Sequence, residues 1–94
     1  MRFEFDPGKS RRNWERHGID FEEAQELWAQ PHVVIAAKTV AKEIRYTLVA
    51  AMDGDCWAAV FTMRGETVRL ISCHRADRRL ERIYEEQEQK KNDS

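Results

Sequence analysis

The chain has 94 residues, of which 41% are hydrophobic and 35% charged, and its net charge is −1. So short a chain has too little apolar surface for two cores, while three Trp, four Phe and two Tyr are enough for one, which excludes both a multidomain plan and wholesale disorder. No apolar run approaches the ~20 residues that span a bilayer, and Met1 to Asp6 lacks the basic-then-apolar layout of a secretory leader, so a cytoplasmic location without membrane contact is expected.

Arg2 to Phe5 alternates polar and apolar residues and predicts a short strand. Asp6-Pro7 then places an N-cap and a first-turn proline at the head of a helix that runs to His17 and stops at Gly18. On its 3.6-residue period Ser10, Trp14 and His17 share one stripe, and Lys9, Arg12, Asn13 and Arg16 share the next. Asp20 caps a second helix, Phe21 to about Ala29, with Glu23 placed for a capping box, and Pro31 closes it. Val33 to Ile35, Ile44 to Ala51, Cys56 to Thr62 and Thr67 to His74 are rich in β-branched and aromatic residues and predict four strands. Asp53-Gly54 and Arg64-Gly65 mark hairpin turns, whereas Ala36 to Lys42 carries no clear signal. Leu80, Ile83, Tyr84 and Gln87 recur at helical spacing in a third helix, Ala76 to about Lys90. The expected fold is α+β in the order β-α-α-β-β-β-β-α, with helices covering one face of an antiparallel sheet. Residues 1–88 form the domain in this view, and 89–94 a disordered polar tail.

Eleven of the 16 basic residues are Arg, clustered at Arg11, Arg12 and Arg16 and again at Arg75, Arg78, Arg79 and Arg82. Arginine forks suit phosphate, so the clusters point either to a confined phosphate-binding surface or to solvated helix faces laced with i,i+4 ion pairs. Cys56 and Cys73 fit neither a zinc motif nor a disulfide framework and are expected as ordinary buried thiols; no cofactor is implied. Asp53 and Asp55 flank a turn glycine and suggest hairpin chemistry rather than a carboxylate metal site.

Several stretches resemble the BrnT toxin family. They are Phe3-Glu4-Phe5-Asp6-Pro7, Lys9, Asn13, the run from Arg16-His17-Gly18 to Phe21-Glu22-Glu23-Ala24, Pro31, Glu43-Ile44-Arg45-Tyr46, Arg69 to Ala76, and Glu81 with Tyr84. Ordered motifs over about nine-tenths of a chain are more specific than any one short pattern. The sequence departs from the family pattern at His74, where Arg is usual, and at Met63, where an acid commonly precedes Arg-Gly. The resemblance implies a RelE-like fold and RNA cleavage that blocks translation. It also implies neutralisation by a ribbon-helix-helix antitoxin of the BrnA kind, in a complex, expected as a heterotetramer, that represses its own promoter. DNA would then be bound only through the antitoxin.

Metal-independent RNA cleavage needs a base for the ribose 2′-hydroxyl, an acid for the leaving oxygen, and cations for the phosphate. His74 as acid or base and Arg75 as phosphate clamp lead the candidates, followed by Lys9 and Arg69, and then by Glu43, Arg45, His17 and Tyr84. Strand alternation sets Arg69 and His74 on opposite faces unless a bulge re-aims one of them. Duller roles are open to several: His17 as a partner of free helix-end carbonyls, Glu43 and Arg45 bridging each other, Asn13 as a structural hydrogen bonder, and Tyr84 as core. Arg78, Arg79 and Arg82 suit a solvated or antitoxin-binding face. The competing function is a catalytically inactive module that binds RNA or protein and keeps the antitoxin surface.

Overall fold

A computed structural model describes residues 1–93, apart from the side chains of residues 36, 37, 92 and 93. Strand β1 is Arg2–Glu4 and helix α1 is Pro7–His17. Asp6 starts α1 by accepting the N–H groups of Gly8 and Lys9 at 2.8 and 3.1 Å, and these bonds, Lys9's first, hold its carboxyl below the usual range. The helix ends where Gly18 turns left-handed at φ 76° and returns its N–H to the Trp14 carbonyl. Asp20 and Glu23 form the expected reciprocal capping box at helix α2, Phe21–Ala24. One α-turn is all that follows, because Gln25–Ala29 tightens into a 3-10 helix. That winding aligns residues three apart, and Ala24 and Leu27 are both fully buried.

Strands β2 (His32–Val40), β3 (Glu43–Met52), β4 (Asp55–Arg64) and β5 (Thr67–Arg75) follow, and helix α3 is Arg78–Asp93. The element order is the one expected, and the sheet order is β1-β5-β4-β3-β2. Two features depart from the antiparallel, one-sided plan. β1 pairs parallel with β5, Phe3 opposite Val68, which makes the sheet mixed. The helices also divide between its faces. Against one face α1, α2 and the 3-10 helix bury Ile19, Phe21, Ala24 and Leu27 on Leu48, Ala50, Ala59, Phe61, Leu70 and Cys73. Trp28 is wedged edge-on between Phe3 and Phe61, at 5.2 and 5.1 Å. Against the other face α3 sets Leu80 and Tyr84 on Val49 and Ala58, over β2 and β3. The reason lies in the central strands, whose runs Leu48-Val49-Ala50 and Trp57-Ala58-Ala59-Val60-Phe61 are apolar on both sides and need two covers.

The predicted polar tail is also different: α3 continues through it to Asp93, and Lys91 reaches Glu88 at 3.1 Å and the His32 carbonyl at 3.4 Å. Residues 87–91 are strong helix formers, and an i,i+3 ion pair supports the last turns. Ser94 lies outside the described residues.

The stretch without a clear signal becomes the end of β2 and a two-residue hairpin turn, Ala41-Lys42, with φ of 48° and 66°. Asp53-Gly54 adopts the same left-handed pair at 53° and 85°, with the residues such a turn favours. Lys42 carries a Cβ in a conformation that costs roughly 1–2 kcal/mol for an L-residue, part of which Gly returns in unfolded-chain entropy. Lys42→Gly is therefore expected to raise stability by about 0.5–1 kcal/mol, an upward shift of about 2–8 °C in a thermal melt; a fall would show that the Lys42 side chain stabilises the hairpin.

The third hairpin turn comes one residue later than Arg64-Gly65. Arg64 pairs with Thr67, and Gly65-Glu66 makes the turn with positive φ at Gly65 alone, as a type II′ turn requires.

Candidate active site

β1 pairs with β5 only at residues 67–69, so the rest of the β5 edge is free for another partner. Helix α1 takes that place through one side chain. The Asn13 amide donates to the Cys73 carbonyl at 2.7 Å and to the Ile19 carbonyl at 2.8 Å, while its oxygen accepts the Cys73 N–H at 3.1 Å. A primary amide offers the same donor and acceptor as a peptide, so Asn13 serves as a one-residue strand. Ser10, one turn earlier, accepts the Phe21 N–H at 2.9 Å and fixes α2 to the same helix. Both residues are buried, and Asn13 has the structural role that was one of its two possible roles.

With the Asn13 stripe turned inward at the β5 edge, Lys9, Arg12, Arg16 and His17 stand along the seam between α1 and β5. Two adjoining hollows open there. One, of about 210 Å³, is lined by Lys9, Arg12, Asn13, Arg16, His17, Ile71 and Ser72; the other, of about 520 Å³, by Arg16, His17, Gly18, His74 and Arg75. Arg16 and His17 belong to both, so the hollows form one groove, and among the described residues no carboxylate lines it. Lys9, Arg12 and Arg16 are exposed and make no ion pair among the described residues. Positive charge on a concave surface focuses a positive field, the property that draws a phosphodiester chain.

His74 is half-buried, and its ring stands 6.0 Å from that of His17 between centroids. Burial lowers the His74 pKa from the ordinary imidazole value, the adjacent His17 acts in the same direction, and Asp77 opposes them. Arg75 lies with its guanidinium 5.5 Å from the centre of the Trp57 ring and 3.5 Å from Asp55. That ion pair is largely exposed, so it holds Arg75 weakly and leaves it free to exchange Asp55 for a phosphate. The two thiols are free, and burial pushes Cys56 up to about 11 and Cys73 to about 12. Neither is a thiolate near neutral pH.

The remaining candidates lie elsewhere. A bulge in β5, where Val60 pairs with Ser72 but Phe61 with Leu70, inserts Ile71 and brings Arg69 and His74 to the same face, opposite Thr62 and Ala58. Simple alternation had separated them. Arg69 is nevertheless about 15 Å along the strand from His74 at 3.2–3.4 Å per residue, and its guanidinium faces Glu4 at 3.8 Å, beside Arg64 at 3.5 Å from the same oxygen. Arg45 sits in the same cross-strand row, opposite Thr62, and its Nε is 4.0 Å from Glu43. Glu43 borders a separate hollow of about 330 Å³ with Tyr46, Thr62 and Met63. Tyr84 packs into the core beneath α3. The structure thus gathers Lys9, His17, His74 and Arg75 and leaves Arg69, Glu43, Arg45 and Tyr84 outside the groove. Arg12 and Arg16, read from the sequence as part of either a phosphate-binding surface or a solvated face, join it, as does Ser72, which was not a candidate. The i, i+3, i+7 spacing of Lys9, Arg12 and Arg16 was the available signal.

A family model described as the ribonuclease toxin BrnT of type II toxin–antitoxin systems matches residues 5–79. The chain belongs to this family. Every groove-lining residue falls within the BrnT match, whereas all of β1 and most of α3 lie outside it. No curated protein matches the chain. As a BrnT toxin it is a ribonuclease, with RNA as target and an antitoxin as partner. Among the described residues no helix is long and apolar enough to cross a membrane.

Proposed function

We infer that the α1–β5 groove is the place where this toxin cuts RNA, that it does so without a metal ion, and that the cut arrests translation. The observation that carries the reading is the groove itself, with Lys9, Arg12, Arg16, His17, His74 and Arg75 on its walls and no acid among them. Phosphodiester cleavage asks for positive charge around the phosphate and for groups that move protons near neutral pH, and these side chains supply both. Arg75 is the clamp in this arrangement, since its fork can hold two phosphate oxygens at once. Lys9, Arg12 and Arg16 hold the phosphates on either side.

A cytoplasmic ribbon-helix-helix antitoxin is the proposed inhibitor, joined to the toxin in a heterotetramer that binds promoter DNA through the antitoxin alone. The toxin's formal charge of −1 agrees with that division, because duplex binding draws on a strongly basic surface.

Induced expression of the chain, alone and with its neighbouring gene, tests the reading. Growth arrest relieved by the neighbour is the expected result, together with cleavage of single-stranded RNA by the purified chain at an undiminished rate in excess EDTA. Binding of RNA without cleavage, in either the presence or the absence of Mg²⁺, would replace this reading with the inactive binding module. Cleavage abolished by EDTA and restored by a divalent ion would overturn the metal-free mechanism.

A further inference from the structure

His17 and His74 approach from different elements, α1 and β5, and meet at the junction of the two hollows. Their ring centroids are 6.0 Å apart with the planes tilted by 49°. No hydrogen bond within the protein holds His17 among the described residues. The dull role for a histidine at a helix end, bonding the last free carbonyls, is performed instead by the Gly18 N–H, which takes the Trp14 carbonyl at 2.8 Å. Two imidazoles thus face one cationic groove with their polar edges uncommitted.

We propose that the two histidines divide the proton transfers of RNA cleavage, His74 acting as general base on the ribose 2′-hydroxyl and His17 as general acid on the leaving 5′ oxygen. The assignment rests on the ribonuclease reading above and deepens it. Neutral His74 takes the 2′-hydroxyl proton as that oxygen attacks the adjacent phosphorus. The bond from phosphorus to the 5′ oxygen breaks, and protonated His17 gives its proton to that oxygen. The products are a 2′,3′-cyclic phosphate and a 5′-hydroxyl end. His74 is left protonated and His17 neutral, and exchange with water restores both.

In-line displacement puts the attacking and leaving oxygens on opposite sides of phosphorus, so acid and base must be separate groups on either side of one phosphoryl centre. A proton-transfer group must come within ~2.6–3.2 Å of its oxygen. Rings 6.0 Å apart are too distant to bond each other and close enough to straddle one phosphate.

The division of roles follows from the surroundings. His74 is half-buried and faces Arg16 and His17 from α1, Arg75 beside it on β5, and Asp77 from the turn into α3. Asp77 is engaged as the cap of α3, accepting the Leu80 N–H at 2.9 Å. Burial first, and His17 after it, therefore outweigh Asp77 and favour neutral His74, the form a base needs. His17 is exposed in the last turn of α1, open to the solvent that returns a proton to an acid after each turnover.

The test compares an RNA oligonucleotide with one in which sulfur replaces the 5′ leaving oxygen at a single ribonucleotide, since a thiolate departs without a proton. His17→Ala is expected to slow the oxygen substrate by about 10²–10⁴-fold and to cleave the sulfur substrate within a few-fold of the parent. His74→Ala, or His74→Gln if the first variant fails to fold by circular dichroism, is expected to slow both substrates alike. The parent's kcat/KM should be bell-shaped in pH, losing its alkaline limb in His17→Ala and its acidic limb in the His74 variant. Equal losses on both substrates for His17→Ala would overturn its role as acid, and sulfur rescue of the His74 variant would reverse or overturn the assignment. A parent that cleaves neither substrate would bring down the ribonuclease reading as well, which separates the two failures.

Discussion

Asn13→Ala is expected to be among the most damaging single substitutions in this chain, both to stability and to cleavage. The parent side chain makes three buried hydrogen bonds, at 2.7, 2.8 and 3.1 Å, and all three partners are backbone groups. Alanine leaves the Cys73 N–H, the Cys73 carbonyl and the Ile19 carbonyl without partners at a packed seam. Each unsatisfied group costs about 1–3 kcal/mol. Because the costs share one cavity and do not simply add, a loss of about 3–5 kcal/mol is expected, a large share of the ~5–15 kcal/mol typical of such a domain. The thermal midpoint should fall by at least about 12 °C at roughly 4 °C per kcal/mol.

Ser10→Ala provides the scale for that result. It removes one bond, from the Phe21 N–H at 2.9 Å, and should cost about a third as much. Asn13→Asp keeps the acceptor for the Cys73 N–H but presents two carbonyls with a carboxylate, so it should rescue little of the loss. Activity supplies a second readout. At a temperature where Asn13→Ala remains folded, cleavage should still be impaired, because Asn13 sets α1 against β5 and thereby His17 against His74. Unimpaired cleavage by the folded variant would show that the histidine spacing is fixed by other contacts.

The difference between what was legible in the sequence and what was not is largely one of range. Asp6-Pro7, Gly18 and the Asp20/Glu23 pair specify helix ends through partners two to four residues away, and all three are found as expected. Trp28, Leu27 and Phe21 follow from periodicity, although the 3-10 tightening after Ala24 depends on the sheet they meet. The placement of α3 was not foreseen, even though the apolar runs in β3 and β4 carried the signal for two covered faces. The β5 bulge was named only as a condition, because nothing in Arg69 to His74 marks Ile71 as the extra residue; its position depends on pairing with β4.

For the site, the Lys9, Arg12 and Arg16 stripe was visible, and so was the chemical suitability of His74 and Arg75. What could not be seen was which candidates share a groove. Asn13 and Cys73 are 60 residues apart, and the contact that joins α1 to β5, and with it His17 to His74, has no local signature. Arg69 and Arg45 have the same side-chain chemistry as Arg75. Each of the three has a carboxylate within 4.0 Å, and Arg69 and Arg45 differ from Arg75 in lying less exposed at the opposite end of the sheet.

Arg16→Glu is the second substitution expected to have a large effect, this time on RNA binding rather than folding. Arg16 lines both hollows, is exposed, and makes no ion pair among the described residues, so reversing its charge disturbs no internal contact of the fold. A charge-assisted hydrogen bond to phosphate contributes about 1.5–3 kcal/mol, so loss of the contact alone should weaken binding of a short single-stranded RNA by about 10–100-fold. Repulsion by the new carboxylate adds to that. The salt dependence gives the sharper signature, because removing one phosphate contact should make the slope of log K against log salt shallower by about 0.7 for a single strand. Arg11→Glu is the matched control. Arg11 lies on the same helix, but it contacts Glu15 at 3.4 Å and borders a different hollow with Pro7, Trp14 and Asp20. Both substitutions change the net charge by the same amount, so any effect of overall charge will be common to them. A large loss confined to Arg16→Glu would place the RNA backbone in the α1–β5 groove. Equal losses would mean that RNA follows the general field of α1, and the groove would then have no special claim to the substrate.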